Sequence, residues 1–190
     1  MRSPELAGSR PQRSCNGCTL CCKVMEVDEL SKPVGVWCTH CNVGQGCGVY
    51  DGRPPTCRGF LCGYLAIAGL GDHWFPATCK MVLYVEDNRL VVRVDESRKD
   101  AWQKEPYYSE LIRQSINGGS GRQLIVAVGT KSYAIVPQGH IELGVVKPHD
   151  VLVTIDYGGA QGWTVEKMDA TDPRVAGLQP GMWIDPKNLP

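Results

Sequence analysis

Nine of the ten cysteines in this sequence lie between Cys15 and Cys62, and only Cys79 lies beyond them. Cys15-Asn-Gly-Cys18-Thr-Leu-Cys21-Cys22 reads CxxCxxCC. Cys38-Thr-His40-Cys41 follows, then Cys47-Gly-Val-Tyr50, then Arg53-Pro-Pro-Thr-Cys57-Arg58-Gly-Phe60-Leu-Cys62. A CxxC pair suits metal because two intervening residues let the backbone turn, bringing both sulfurs to one centre at the ~2.3 Å that zinc and thiolate require. One such pair is common, but this density is not.

Cys15, Cys18, Cys21, Cys22, Cys38, Cys41, Cys47, Cys57 and Cys62 are therefore the expected metal ligands. Nine thiols exceed the four ligands of one tetrahedral zinc, so either two metals are bound or some cysteines bridge, as in a cluster. Adjacent side chains diverge by ~100° on a helix and nearly oppose one another on a strand. Cys21 and Cys22 thus face two centres more easily than one. Iron has its own warrant, because Cys15, Cys18 and Cys21 reproduce the first three ligand spacings of a bacterial [4Fe–4S] ferredoxin motif. That motif continues with a Cys-Pro three residues later, whereas here Cys22 follows at once and precedes Lys23. The expected cofactor is zinc or iron, with a [4Fe–4S] cluster as one form of the latter. Clustered thiolates accumulate negative charge, and Lys23, Arg53 and Arg58 lie beside them in sequence, where they could offset it and donate hydrogen bonds.

Taken together, CxxCxxCC, a following cysteine next to Trp37, the CxxY of Cys47 to Tyr50 and the RPxxCRxF of Arg53 to Phe60 resemble the CxxCxxCC zinc- or iron-chelating domain family. Its members are also called YkgJ-like cysteine-cluster proteins. The resemblance covers roughly the first eighty residues and implies metal chelation by the matching cysteines. It implies little about activity, since most members are uncharacterised small bacterial proteins. A similar cluster occurs in an enzyme that methylates flagellin lysines, but residues 80–190 resemble no methyltransferase.

Other residues attract blander readings. Cys79, after His73-Trp-Phe-Pro, is read as structural, and His40 as pointing outward from its turn, with ligation the alternative. Tyr50 and Arg53 to Pro55 are explained by a ring packed on the cluster and a stiffened ligand loop. His73, His140 and His149 have no carboxylate or nucleophile nearby in sequence. No GxGxxG or Walker loop, HExxH helix or GxSxG elbow appears, so no catalytic apparatus is expected.

The elements that must position the thiols are slight. Gly, Pro, Asn, Thr and Asp between the cysteines favour turns, and without metal the segment has little to hold it together. Phe60 to Leu70 is expected to form a small helix stopped at Gly71. MVLYVEDNRLVVRV then predicts a hairpin turning at Glu86 to Arg89. A helix is expected from Pro106 through Ile116, ended by Asn117-Gly118-Gly119. The strands QLIVAV, SYAIV, VLVTI and WTVEKM follow as a small antiparallel meander. The expected class is α+β: a metal-stabilised, turn-rich cysteine segment, then a small antiparallel sheet with one main helix. The reading divides the chain into a disordered tail (1–14), a cysteine-cluster domain (15–79), a small α+β domain (80–171) and a surface tail (172–190).

Bulk properties narrow the rest. A chain of 190 residues is one ordinary domain or two small ones. Lys+Arg and Asp+Glu balance at 20 each, so no overall field draws it to nucleic acid or an anionic membrane. No apolar run approaches the ~20 residues of a membrane span, and residues 1–14 lack the apolar core of a secretion signal. This many clustered cysteines suits metal in a reducing compartment better than a disulfide framework. The expectation is a cytoplasmic protein whose partners are metal ions and, through its C-terminal domain, another protein. Its role is structural or metal-handling, with an iron–sulfur redox or modification enzyme, or an electron-transfer component, as the alternative.

Overall fold

The computed structural model describes residues 13–86, 89–117, 123–147, 149–158, 160–175 and 183–184. The cysteine-rich third is built of short pieces: α1 (Cys21–Val24), a ribbon of β1 (Cys41–Asn42) and β2 (Gly46–Cys47), α2 (Pro55–Gly59) and α3 (Gly63–Ala66). Of the helix expected over 60–70, only α3 is helical. α4 (Pro76–Cys79) leads into β3 (Met81–Glu86) and β4 (Arg89–Val94). Then come α5 (Tyr107–Asn117), β5 (Gln123–Val128), β6 (Lys131–Val136), β7 (Gly139–Gly144), β8 (Asp150–Asp156), β9 (Trp163–Asp169) and β10 (Trp183–Ile184).

The class is α+β, as the alternation of apolar runs predicts. A five-stranded sheet runs β3-β4-β5-β6-β7, and a second sheet runs β10-β8-β9. The β3–β4 hairpin pairs Met81 with Val94 through Glu86 with Arg89; residues 87 and 88 of its expected turn lie outside the described residues. So do residues 118 and 119, the expected stop of α5.

The expected antiparallel meander needs correction at three places. β4 pairs with β5 in parallel, because the segment carrying α5 returns the chain to the same end of the sheet before β5 begins, as parallel neighbours require. β7 is a strand the sequence reading lacks. Ile141 and Leu143 are its only apolar residues and glycines stand at both ends, so its alternation is too weak to read. The segment read as a surface tail is also built in. Val175 is buried with Val153, Ile155 and Met168, and Trp183–Ile184 pair in parallel with Thr154 and Ile155.

Period-2 alternation gives the five-stranded sheet two apolar faces. On one, Met81, Leu83, Val92, Val94, Leu124, Val126 and Ile135 pack beneath Leu111 of α5 and the buried Trp74 and Trp102. The other face is shared. Ile125, Ala134 and Val136 meet Leu152 and Val165 of the second sheet, while Val82, on β3, meets Leu20 and Val24 of the cysteine-rich segment. That small contact is an apolar anchor of the segment, and each side chain buried there contributes about 1.5–3 kcal/mol. No helix among the described residues is long and apolar enough to cross a membrane.

Candidate metal centre

The first CxxC is made by backbone geometry. Asn16 (φ 43°) and Gly17 (φ 75°) both occupy the left-handed region, and the Cys18 amide donates to the Cys15 carbonyl at 2.6 Å. Asn-Gly is the dipeptide that such a tight turn favours, and it sets Cys15 and Cys18 side by side. Gly17 has a second constraint: a Cβ there would stand 2.5 Å from the Gly44 carbonyl oxygen. The Gly44 amide in turn donates to Thr19 Oγ1 at 3.1 Å, so the turn is docked on the tip of the ribbon.

The ribbon carries the next thiols. Cys38 to Cys41 is closed by the Cys41 amide on the Cys38 carbonyl at 3.0 Å, and Cys41 lies opposite Cys47. The Gly48 amide donates to the His40 carbonyl at 2.8 Å, so 40 and 48 are the hydrogen-bonded pair. Cys41 and Cys47 are therefore a non-hydrogen-bonded pair, the position where facing side chains approach most closely. The Cys38 amide bonds the Cys22 carbonyl at 2.9 Å, tying the ribbon to α1. Cys22 shares side-chain hydrogen bonds with Cys21 and Cys41. Cys57, on α2, has Cys22, Cys38 and Cys47 as its electrostatic neighbours. His40 is exposed.

Cys62 belongs elsewhere. Its sulfur accepts the amides of Tyr64 and Leu65, and its thiol neighbours are Cys18 and Cys15. Cys18 and Cys62 both pack on the Leu20–Val24–Val82 cluster. Cys79 is buried, and its thiol donates to the carbonyls of Trp74 at 3.5 Å and Met81 at 3.4 Å. All ten cysteines are free thiols. The nine sequence-predicted residues thus lie in one lobe, yet among the described residues no three His, Cys, Asp or Glu side chains stand ready-made to hold a metal ion. What the fold supplies is the set of turns that carry the thiols.

No residue from Pro33 to Cys62 is buried, although this stretch holds five cysteines and an ordered ribbon. Of its larger apolar side chains, Val36, Trp37, Val43, Val49, Tyr50 and Leu61 are exposed, and Phe60 is half-buried. Several of the thiols are harder to ionise than free ones. The hydrogen bond with Cys21, and then burial, hold Cys22 well above the ordinary thiol range. Burial, followed by Cys22, pushes Cys41 up to about 11. Burial first, then neighbouring thiols, raises Cys15 and Cys57. Opposition of this kind is what a bound cation reverses, since it favours thiolate over thiol.

Of the three cations nominated beside the ligands, Lys23 is engaged by Asp95 at 2.8 and 2.9 Å, joining the lobe to the end of β4. Arg53 lies 3.7 Å over the Tyr50 ring and lowers the Cys15 pKa, while Arg58 lies near Glu29. The charge that sequence reasoning misses is Lys32. It is buried, and its ammonium donates to the carbonyls of Lys23 and Pro33, both at 3.1 Å, and of Met25. Burial lowers its pKa, and Cys38, Cys22, Cys57 and Cys21 oppose that shift. A Ser-Lys-Pro tripeptide carries no signal that its lysine will turn inward.

The structure does give His73 an acid partner, Glu110, at 3.0 Å, and Trp74 Nε1 donates to the same carboxylate at 2.5 Å. Tyr108 bonds His140 at 2.9 Å on the other flank of α5. Both contacts brace α5 against its neighbours. An apolar groove of about 210 Å³ opens between α3 and β3, lined by Phe60, Leu61, Ile67, Tyr84 and Val85 among others, with no acid–base pair. Comparison of the chain with family models, with curated proteins and with solved structures returns no match.

Proposed function

We propose that residues 15–62 chelate zinc or iron through their cysteines, and that the bound metal supplies the cohesion this segment's side chains do not. One observation carries the reading: from Pro33 to Cys62 the chain has an ordered ribbon and two CxxC-type turns' worth of thiols nearby, yet not one buried residue. A segment of this kind has little hydrophobic term to offset its conformational entropy beyond the packing of Phe60 and Cys62 at its end. Metal–thiolate bonds can do so, because binding free energy at a preformed-only-when-folded site is folding free energy.

The donor chemistry fits zinc or iron, both of which take thiolate. Cys41 and Cys47 on facing strands, with Cys38 one turn away, would hold one ion. Lys32 and Arg53 would offset part of the thiolate charge. The resemblance to the CxxCxxCC chelating family points the same way. The role proposed is structural or metal-handling.

The test is metal content with an ultraviolet–visible spectrum on full-length protein purified anaerobically without added metal. Stoichiometric colourless zinc supports the structural or metal-handling role. Iron with sulfide and a broad band near about 400 nm moves the assignment to an iron–sulfur redox protein. Protein that is folded from residue 33 to 62 and free of metal overturns the proposal.

A further inference from the structure

Among the described residues, Cys41 and Cys47 are the cysteines set directly opposite each other on paired strands. β1 and β2 pair Cys41 with Cys47 and Asn42 with Gly46, and the Gly48 amide on the His40 carbonyl makes the rung on the other side. The pair sits between two hydrogen-bonded rungs, where opposed Cα atoms stand about 4.5 Å apart and both side chains leave the ribbon on the same face. That separation lies within the range of about 4.4–6.8 Å that a disulfide spans. Both thiols are free and half-buried, so a small reagent can reach them. The other close pairs have a poorer backbone for this bond. Cys21 and Cys22 follow one another on α1, where successive side chains diverge by ~100°. Cys15–Cys18 and Cys38–Cys41 close four-residue turns, which hold their end Cα atoms only within about 7 Å. Cys22 shares a side-chain hydrogen bond with Cys41, but its backbone is tied to the ribbon at Cys38.

We propose that Cys41 and Cys47 form a reversible disulfide site, closed by a small-molecule disulfide and opened by a reductant, and that its closing releases metal from the ribbon. The pairing stands on backbone geometry, while the release rests on the metal-binding reading above. One thiolate of the pair attacks a sulfur of the external disulfide, forming a mixed disulfide and expelling one small thiolate. The facing thiolate then attacks the protein sulfur of that mixed disulfide, which forms the Cys41–Cys47 bond and expels the second. Two protein thiols are oxidised, one external disulfide is reduced to two thiols, and the protons leaving the protein pass to those thiols. The second step is fast only where the resolving sulfur already faces the first, and this the ribbon register provides. Closing the bond removes two ligands at once, because the thiolate and not the oxidised sulfur is what binds metal. Metal held on the ribbon therefore follows the thiol–disulfide poise of the surroundings.

The experiment treats the zinc-loaded full chain with oxidised glutathione under nitrogen. Released zinc is followed with the chromogenic chelator 4-(2-pyridylazo)resorcinol, and links are mapped by tandem mass spectrometry after the remaining thiols are alkylated. The first link expected is Cys41–Cys47, formed in step with zinc release at least tenfold faster than without oxidant. Reduction by a phosphine should restore zinc uptake. Cys15→Ser, outside the ribbon, should form the same link, whereas Cys41→Ser should stop at a glutathione adduct on Cys47. No link, a first link between other cysteines, or a glutathione adduct that persists on Cys41 or Cys47 of the wild type overturns the pairing. A Cys41–Cys47 link on a chain that loses no zinc overturns the release. A reduced chain that takes up no zinc, and carries no iron as isolated, removes the metal-binding reading instead, and the link map still decides the pairing.

Discussion

Between Met81 and Met168 every strand buries side chains, and two of the largest in the protein, Trp74 and Trp102, close over the five-stranded sheet. Between Pro33 and Cys62 nothing is buried, and the order present is that of tight turns and a two-rung ribbon. The first region uses the non-directional hydrophobic term, which tolerates substitution so long as volume and pattern are kept. The second relies more on directional contacts: tight turns, backbone hydrogen bonds and the two-rung ribbon. One chain therefore carries two kinds of stability, and the seam between them is small: Leu20 and Val24 on Val82 with Phe60 beside them against Tyr84, and Lys23 on Asp95.

The largest expected effect separates the two regions outright. Removing metal with a chelator under reducing conditions should unfold residues 33–59 and leave the strands from Met81 to Met168 protected, as read by hydrogen exchange. Structural thiolate sites for zinc contribute about 10–16 kcal/mol of apparent binding free energy. Retained protection of the ribbon amides after complete metal removal would refute the contrast. The converse substitution comes next. Leu111→Ala opens a cavity beneath α5, where Leu111 is 1 % exposed, and should cost the sheet body about 2–5 kcal/mol in denaturant unfolding. Its metal stoichiometry below the unfolding transition should match wild type. A loss of metal in that folded variant would mean that the two regions are one cooperative unit.

The seam itself should respond to pH. Burial alone would raise the Asp95 pKa, but hydrogen bonds from Lys23 and from Ser97 outweigh it and hold the carboxyl below its usual value. A carboxylate depressed on folding stabilises the native state above its unfolded pKa of about 3.9, and that contribution is lost as pH falls through the folded value. The contact is largely buried, with side-chain exposures of 6 % for Asp95 and 22 % for Lys23, so the hydrogen bonds to charge are worth about 1.5–3 kcal/mol. Asp95→Asn should weaken the lobe's attachment by that order near neutral pH and flatten the acid dependence below pH ~4. Exchange of the α1 amides is the readout, and an unchanged profile would show that the apolar contact alone holds the seam.

How far each region could be read from its residues follows from the same contrast. Cys15-Asn-Gly-Cys18 announces its turn because Asn and Gly are the residues that adopt left-handed backbone, and the strands QLIVAV and VLVTI announce themselves by β-branched runs. Local chemistry is legible where the cause is local. The parallel pairing of β4 with β5 has no such cause, since it depends on where α5 delivers the chain. Lys32 turning inward, Lys23 choosing Asp95 and His73 meeting Glu110 each join residues distant in sequence or reverse the ordinary preference of a charged side chain. Where the thiols meet was hidden for the same reason. Spacing groups Cys18 with Cys21 and Cys22, whereas the fold rests Cys18 and Cys62 on one apolar cluster and hydrogen-bonds Cys22 to Cys41 on the ribbon.

The smallest expected effect tests the joint between the first CxxC turn and the ribbon tip. Gly17 combines a positive φ of 75° with a carbonyl oxygen 2.5 Å from where a Cβ would stand, and that oxygen belongs to Gly44 at the ribbon tip. Gly17→Ala brings a left-handed strain of about 1–2 kcal/mol, and the methyl must also push the ribbon tip away. Backbone cannot yield as a flexible side chain would, so the Thr19–Gly44 hydrogen bond of 3.1 Å should lengthen or break. The sheet body, which touches neither residue, should keep its denaturant midpoint. The expected signature is faster withdrawal of bound zinc, because the turn that pairs Cys15 with Cys18 is the part deformed. Withdrawal at the wild-type rate would mean that the CxxC turn does not need its seat on the ribbon tip.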